Sequence, residues 1–143
     1  MNQSKVGYVD DIEGETLGNS NFRTVLYTGK HMQLVVMSLK PGEDIGMEVH
    51  NTVDQFIRID KGEGKAILNG EETPLKDGSA VIIPAGTEHN IVNTSQTEEM
   101  KLYTVYAPPN HPEGTVHVTK ADAMAAEEEE HKDDESEDAQ YAA

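Results

Sequence analysis

Three side chains within residues 41 to 64, PGEDIGMEVHNTVDQFIRIDKGEG, have the chemistry to hold a cation. Glu48 and His50 stand two apart, and in a strand such residues point to one face about 7 Å from each other. A carboxylate and an imidazole placed in this way can reach the same ion. Gln55 opens a second alternating run, Gln55-Phe56-Ile57-Arg58-Ile59, in which it shares a face with Ile57 and Ile59. If that face is the interior, a carboxylate, an imidazole and an amide project among aliphatic groups, which is costly unless each finds a partner. A bound cation would satisfy them; a hydrogen-bonded or solvated face would do so without one.

The elements that must position these residues are short and extended. Pro41-Gly42 is a turn signal, because proline fixes the first corner and glycine accepts the positive φ of the second. A strand carrying Glu48 and His50 follows, then a corner over Asn51 to Asp54, then the strand opened by Gln55, which Gly62 and Gly64 end. Upstream, residues 5–9 suggest a short strand and Asp10 to Ser20 a loop. Phe22 to Tyr27 and Met32 to Leu39 form a hairpin about Thr28-Gly29-Lys30. Downstream, Asn69-Gly70 joins Lys65–Leu68 to Thr73–Leu75, since both turn residues tolerate the positive φ of a type I′ turn. Asp77-Gly78 leads into Ser79 to Ile83. Pro84-Ala85-Gly86-Thr87 makes another corner, Glu88 to Asn93 reads as a polar bend, and Met100 to Ala107 as a long strand. Val116 and Val118 suggest a last strand, and Thr119-Lys120-Ala121-Asp122 a capping box that opens a short helix through Ala126. Beyond it, EEEEHKDDESEDAQYAA is too charged and too poor in apolar groups to fold. Short strands between closely spaced turns predict an all-β barrel or sandwich.

Composition narrows the function further. The chain has 143 residues, enough for one domain with a sizeable core, and no cysteine, which excludes thiolate metal sites, disulfides and cysteine nucleophiles. Net charge is −16, with 17 acids and 10 Lys/Arg up to residue 120 but 10 acids and one Lys beyond it. Such a balance opposes nucleic-acid binding, which needs Lys and Arg gathered on one face. No apolar run approaches the roughly 18 residues of a membrane span, and a cytoplasmic location without membrane contact is the expectation. Glu88 alternates away from His89 and is expected to face solvent. His31, His111 and His117 are given structural rather than ligand roles, and Tyr103, Tyr106 and Phe56 are assigned to core or interface. Arg58 alternates away from Gln55 and Arg23 stands isolated, so no phosphate clamp is apparent.

Gly78-Ser-Ala-Val-Ile-Ile-Pro84-Ala-Gly86-Thr-Glu-His89-Asn-Ile-Val-Asn93 resembles the second motif of the cupin superfamily: Gly, five residues, Pro, one, Gly, two, His, three, Asn. The stretch from Gly42 to Gly62 resembles the first motif, with Gly42, His50 and Gly62 in register. Glu48 stands where the first His is usual, and Gln55 where the Glu is usual. The resemblance implies a double-stranded β-helix, or jelly-roll barrel, over residues 1–120, with motifs at 42–62 and 78–93, and a short helix and disordered acidic tail over 121–143. It places metal positions on Glu48, His50, Gln55 and His89.

By that pattern the ligand set becomes two imidazoles, one carboxylate and one amide. Its formal charge stays at −1, because the acid has moved from one position to the other. Such donors suit a divalent transition metal, Mn, Fe, Ni or Zn, without choosing among them. The chain further resembles small single-domain cupins of the mannose-6-phosphate-isomerase-like kind, which implies a metal-binding protein that acts on or binds a small molecule. An Fe- or Ni-dependent dioxygenase and a non-catalytic metabolite- or metal-binding module are the alternatives. Pairing of two copies through edge strands and the segment before Ser20 is also implied.

Overall fold

Period-two burial sets the architecture. The computed structural model describes residues 6–129. Nine strands run β1 Arg23–Thr28, β2 Gln33–Leu39, β3 Asp54–Lys61, β4 Gly64–Leu68, β5 Glu71–Leu75, β6 Ala80–Ile83, β7 His89–Asn93, β8 Met100–Ala107 and β9 Val116–His117. They form one sheet in the order β6-β3-β8-β2-β1-β9 and a second in the order β5-β4-β7, with antiparallel pairing throughout. Alternate residues of both sheets meet in one core, including Ile57 and Ile59 of β3, Leu102 of β8, Val35 and Met37 of β2, Ala66 of β4 and Ile91 of β7. This is the all-β sandwich that the turn spacing predicts, with the jelly-roll form that the resemblance implies.

The larger sheet presents its inner residues in register. Gln55 of β3 and Gln33 of β2 both lie opposite Tyr106 of β8. Deeper along the strands, Ile57, Thr104 and Val35 form the next row, and Ile59, Leu102, Met37 and Arg23 the row beyond. One end of the barrel interior is therefore polar while the middle is mostly aliphatic.

Several local expectations are corrected. Residues 6–9 make no strand. Asp10 to Ser20 is not all loop but holds helix α1, Ile12–Gly18, which Asp11 caps by accepting from the Gly14 amide at 3.2 Å. Glu13 and Glu15 lie in its first turn, where carboxylates suit the helix N-terminus, and Thr16 is its buried contact. So short a helix needs a cap and one packed residue rather than an apolar stripe. It packs on β8, β3 and β2 of its own chain.

The segment expected to be a regular strand through Glu48 and His50 is irregular and is joined to β7 by isolated bridges, Asp44 opposite Val92 and Glu48 opposite His89, rather than by a continuous ladder. Four steps on one side match three on the other. The extra residue falls around Gly46, whose φ of 109° favours glycine and whose amide donates to Asn90 Oδ1 at 2.9 Å. Residues 89–93, expected as a polar bend, are instead β7, with His89, Ile91 and Asn93 all buried. Asn69 and Gly70 take φ of 49° and 83°, as the hairpin between β4 and β5 requires.

At the C-terminal side the capping box forms, with Asp122 N–H donating to Thr119 Oγ1 at 3.1 Å and Thr119 N–H to Asp122 Oδ2 at 3.2 Å. The helix it opens, α2, covers residues 120–129 rather than stopping at Ala126. Ala123 sits in the barrel core and Lys120 pairs with Asp44. The rest of the expected disordered tail, with His131, lies outside the described residues.

Asn93 shows why an amide ends β7. Its Nδ2 donates to the carbonyls of Leu39, Lys40 and Glu98 at 3.1, 3.0 and 2.9 Å, and its Oδ1 accepts from Ser95 N–H at 3.0 Å. Removing it leaves buried backbone groups short of partners. Asn93→Ala is expected to lower stability by about 1–3 kcal/mol in urea unfolding; a midpoint equal to that of the wild type would show that water replaces the amide at no cost.

Candidate metal centre

Glu48 and His89 lie directly opposite each other, and each donates its N–H to the other's carbonyl at 2.9 Å. Their side chains therefore leave the backbone on the same side. His50 follows two residues later, and its carbonyl accepts from Gly86 N–H at 2.8 Å, which ties it to the corner preceding β7. The His50 Nε2 stands 3.2 Å from Glu48 Oε2, and the His50 and His89 rings are 5.2 Å apart between centroids. The structure thus brings Glu48, His50 and His89 together from two separate stretches of chain.

The tautomer of His89 follows from its neighbour. Nδ1 lies 2.9 Å from the Thr87 carbonyl, which can only accept, so Nδ1 carries the proton and Nε2 keeps its lone pair. Gln55 enters from the facing sheet. Its Nε2 donates to Thr104 Oγ1 at 3.0 Å, while Oε1 is buried without a hydrogen-bond partner. A buried carbonyl oxygen left this way is a free donor atom for a cation or water. Gln55 is linked to the other three through Tyr106, its cross-strand neighbour, whose ring meets His50 edge-on at 6.2 Å.

Among the described residues, no three His, Asp or Glu side chains stand ready-set around a common ion position. Glu48 and His50 instead bond to each other. Ligation at the usual distances of about 2.0–2.2 Å would require them to exchange that contact for the metal. Burial opposes ionisation of Glu48, but the hydrogen bond from His50 and the electrostatics of its surroundings, Arg23 included, outweigh it and hold the carboxyl below its usual range.

Four more side chains surround this end of the barrel: Gln33, which the sequence reading did not single out, Tyr106 and His111, which it gave core and structural roles, and Arg23, which it read as isolated. Gln33, wholly buried, accepts at Oε1 from the amides of Asn110 and His111 at 3.1 and 3.0 Å and donates from Nε2 to the His111 carbonyl at 2.7 Å. It fastens the proline-rich loop so that His111 packs edge-on against Tyr106, with Nε2 3.3 Å from the hydroxyl. Burial pushes the Tyr106 hydroxyl up to about 12, against the pull of nearby Arg23. Burial, and then the charge of Arg23, push His111 down to about 3. Arg23 itself is not isolated but enclosed in the barrel. Its alternation with Val25 in RTVLYT was the available signal. Glu88 is exposed as expected, His31 is exposed in the bend before β2 rather than on a strand, Arg58 is half-exposed beside Asp60, and Phe56 and Tyr103 pair with ring centroids 6.2 Å apart.

The family model described as a cupin domain matches residues 35–106. Protein YrkC of Bacillus subtilis (strain 168) is 52% identical over 127 residues, covering 85% of this chain and 68% of its own length. Protein L612 of Acanthamoeba polyphaga mimivirus is 46% identical over 122 residues, 83% of this chain and 76% of that protein. The crystal structure of BH2720 from Bacillus halodurans superposes with a TM-score of 0.82 at 46% identity, covering 85% of this chain and 96% of that one. With a family match across both motifs, and a jelly roll that agrees with a solved relative over nearly all of its length, this chain belongs to the cupin family.

Proposed function

We propose that this cupin binds a divalent transition metal through Glu48, His50 and His89, with Gln55 Oε1 as a neutral fourth donor, and acts on a small molecule beside it. The observation that carries this reading is the convergence of a carboxylate and two imidazoles, with the His89 Nε2 lone pair left available. The unpartnered Gln55 Oε1 fits the same group. Such a metal supplies Lewis-acid polarisation of a carbonyl or hydroxyl oxygen. The chain's own contribution is orientation: Thr87 fixes His89, Gly86 fixes His50, and Tyr106 remains a protonated hydroxyl that can donate but does not serve as a base at neutral pH.

A second reading rests on the Glu48–His50 bond. In a binding module without metal, these two groups satisfy each other, and the polar end of the barrel holds a metabolite by hydrogen bonds alone.

Elemental analysis of untagged protein separates the two. Near-stoichiometric metal in the wild type, absent from a His50→Ala, His89→Ala double variant, is the expected result. Wild type that arrives empty and takes up none of Mn, Fe, Ni or Zn on titration would leave the binding module. Because affinity alone favours Ni or Zn over Mn or Fe, the metal recovered need not be the one that supports turnover.

Acid stability of the metal-free protein offers another check. His111 has a folded pKa of about 3 against 6.5 unfolded, so between those values the unfolded chain binds the additional proton. Stability rises with pH across that window and is lost as pH falls through it. His111→Gln is expected to flatten this limb between about pH 6.5 and 4; an unchanged slope would show that His111 is readily protonated in the folded state.

A further inference from the structure

We propose that helix α2 is a latch: it clamps the corner that carries Glu48, and its seating governs how firmly the candidate centre holds a metal. The inference rests on the reading of Glu48, His50 and His89 as a metal site and names what regulates that site.

α2 sits on the barrel by a narrow face. Ala123 is buried among core residues, Ala126 and Glu127 follow half-buried on the same face, and the large apolar side chain of Met124 is 56% exposed. The charge of Glu127 acts on the Tyr106 hydroxyl, so this face is turned toward the polar end of the barrel. At the start of the helix Lys120 pairs with Asp44 Oδ1. The second oxygen of that carboxylate accepts from Asn90 Nδ2 at 2.8 Å, and Asn90 Oδ1 accepts from the Gly46 amide at 2.9 Å. Asn90 is 6% exposed and follows His89 directly in β7, while Gly46 lies two residues before Glu48. The reciprocal backbone bonds of Glu48 and His89 close the path. Contacts thus run without a gap from α2 to the residues that flank both metal positions.

The links depend on one another. Burial opposes ionisation of Asp44, but the hydrogen bonds from Asn90 and Lys120 and the charge of Lys120 hold its carboxyl below the usual range. An ionised carboxylate only accepts and a backbone N–H only donates, so Asn90 is held with Nδ2 toward Asp44 and Oδ1 toward Gly46. Glycine has many conformations open to it, and the bond to its amide favours the one with φ of 109° that Gly46 takes. Seating of α2 therefore supports the corner that presents Glu48 beside His50 and His89. The support is reciprocal: a metal bound through Glu48 holds the same corner and so strengthens the seat of the helix. A helix that fully buries one alanine and leaves its methionine in solvent belongs to the low-stability end of a fold, from which opening elements are drawn.

Amide hydrogen exchange of the metal-free, full-length protein, resolved by residue in NMR spectra, tests the latch without any metal. In the wild type the Gly46 and Glu48 amides are expected to share the protection of α2 and to fall below that of β8, because they open with the helix. Lys120→Met is expected to lower the protection of α2, Gly46 and Glu48 together by about two- to fivefold, and Lys120→Arg to restore it. Gly46 and Glu48 that keep the protection of β8, or a Lys120→Met response confined to α2, overturns the proposal. The second arm uses Zn(II), which has no redox chemistry of its own, titrated against a chelator. Saturating zinc is expected to slow α2 exchange in the wild type by about tenfold. Ala123→Asp, which holds the helix off by placing a charge in the core, is expected to weaken zinc binding by the same factor, as reciprocity requires. Zinc that binds with α2 exchange unchanged overturns the latch, as does a folded Ala123→Asp protein with α2 unprotected and wild-type zinc affinity. Should Ala123→Asp fail to fold, the zinc-induced slowing in the wild type decides. A wild type that takes up none of Mn, Fe, Ni or Zn removes the metal-centre reading, and the metal-free exchange rates then decide the latch.

Discussion

Two reciprocal backbone hydrogen bonds between Glu48 and His89 hold the candidate site together. The chain from Lys40 to Val53 has no regular strand to discipline it, yet it must deliver a carboxylate and an imidazole to within a few ångströms of a residue some forty positions away. Pairing at that one point does so, and the Gly86 amide on the His50 carbonyl adds a second fastening. The facing Gln55 takes its position from β3, and the His89 ring is oriented by the Thr87 carbonyl at the corner before β7.

The interior divides its labour along the strands. Aliphatic rows through Ile57, Ile59, Leu102 and Met37 provide the burial that stabilises the sandwich, whereas the row of Gln55, Tyr106 and Gln33 carries polar groups whose partners are mostly found within the barrel. Among the described residues five buried side-chain atoms lack a hydrogen-bond partner, and two of them, Gln55 Oε1 and Arg23 Nε, belong to strands that line the barrel interior. A buried polar atom without a partner is costly, and a ligand or a water at these two positions would offset that cost.

Much of the fold was legible because residue type and periodicity agreed. β3 and β8 alternate cleanly, and Asn69-Gly70 has the backbone freedom that its hairpin demands. β7 was not legible as a strand, since its inward positions include His89 and Asn93, polar residues used for a site and for tying three carbonyls. Helix α1 was hidden for a different reason: its stability comes from the Asp11 cap and buried Thr16, neither of which produces an apolar stripe. Spacing and motif directed attention to Glu48, His50, Gln55 and His89. Sequence could not convey that Glu48 lies opposite His89, nor that Arg23 is enclosed, because both facts depend on strands paired across long separations.

The additional residue near Gly46 has a consequence for the facing of this whole segment. Asp44 and Glu48 are four positions apart and in an unbroken strand would point the same way. Here Asp44 meets Lys120 of α2 on the outside of the sandwich while Glu48 turns toward His50 and His89. The inserted step inverts the parity between the two carboxylates, so one acid fastens a helix and the other is turned inward. Which acid does which is set by a count of residues, and chain length at this corner is as much a determinant of the barrel's chemistry as the identity of the side chains it carries.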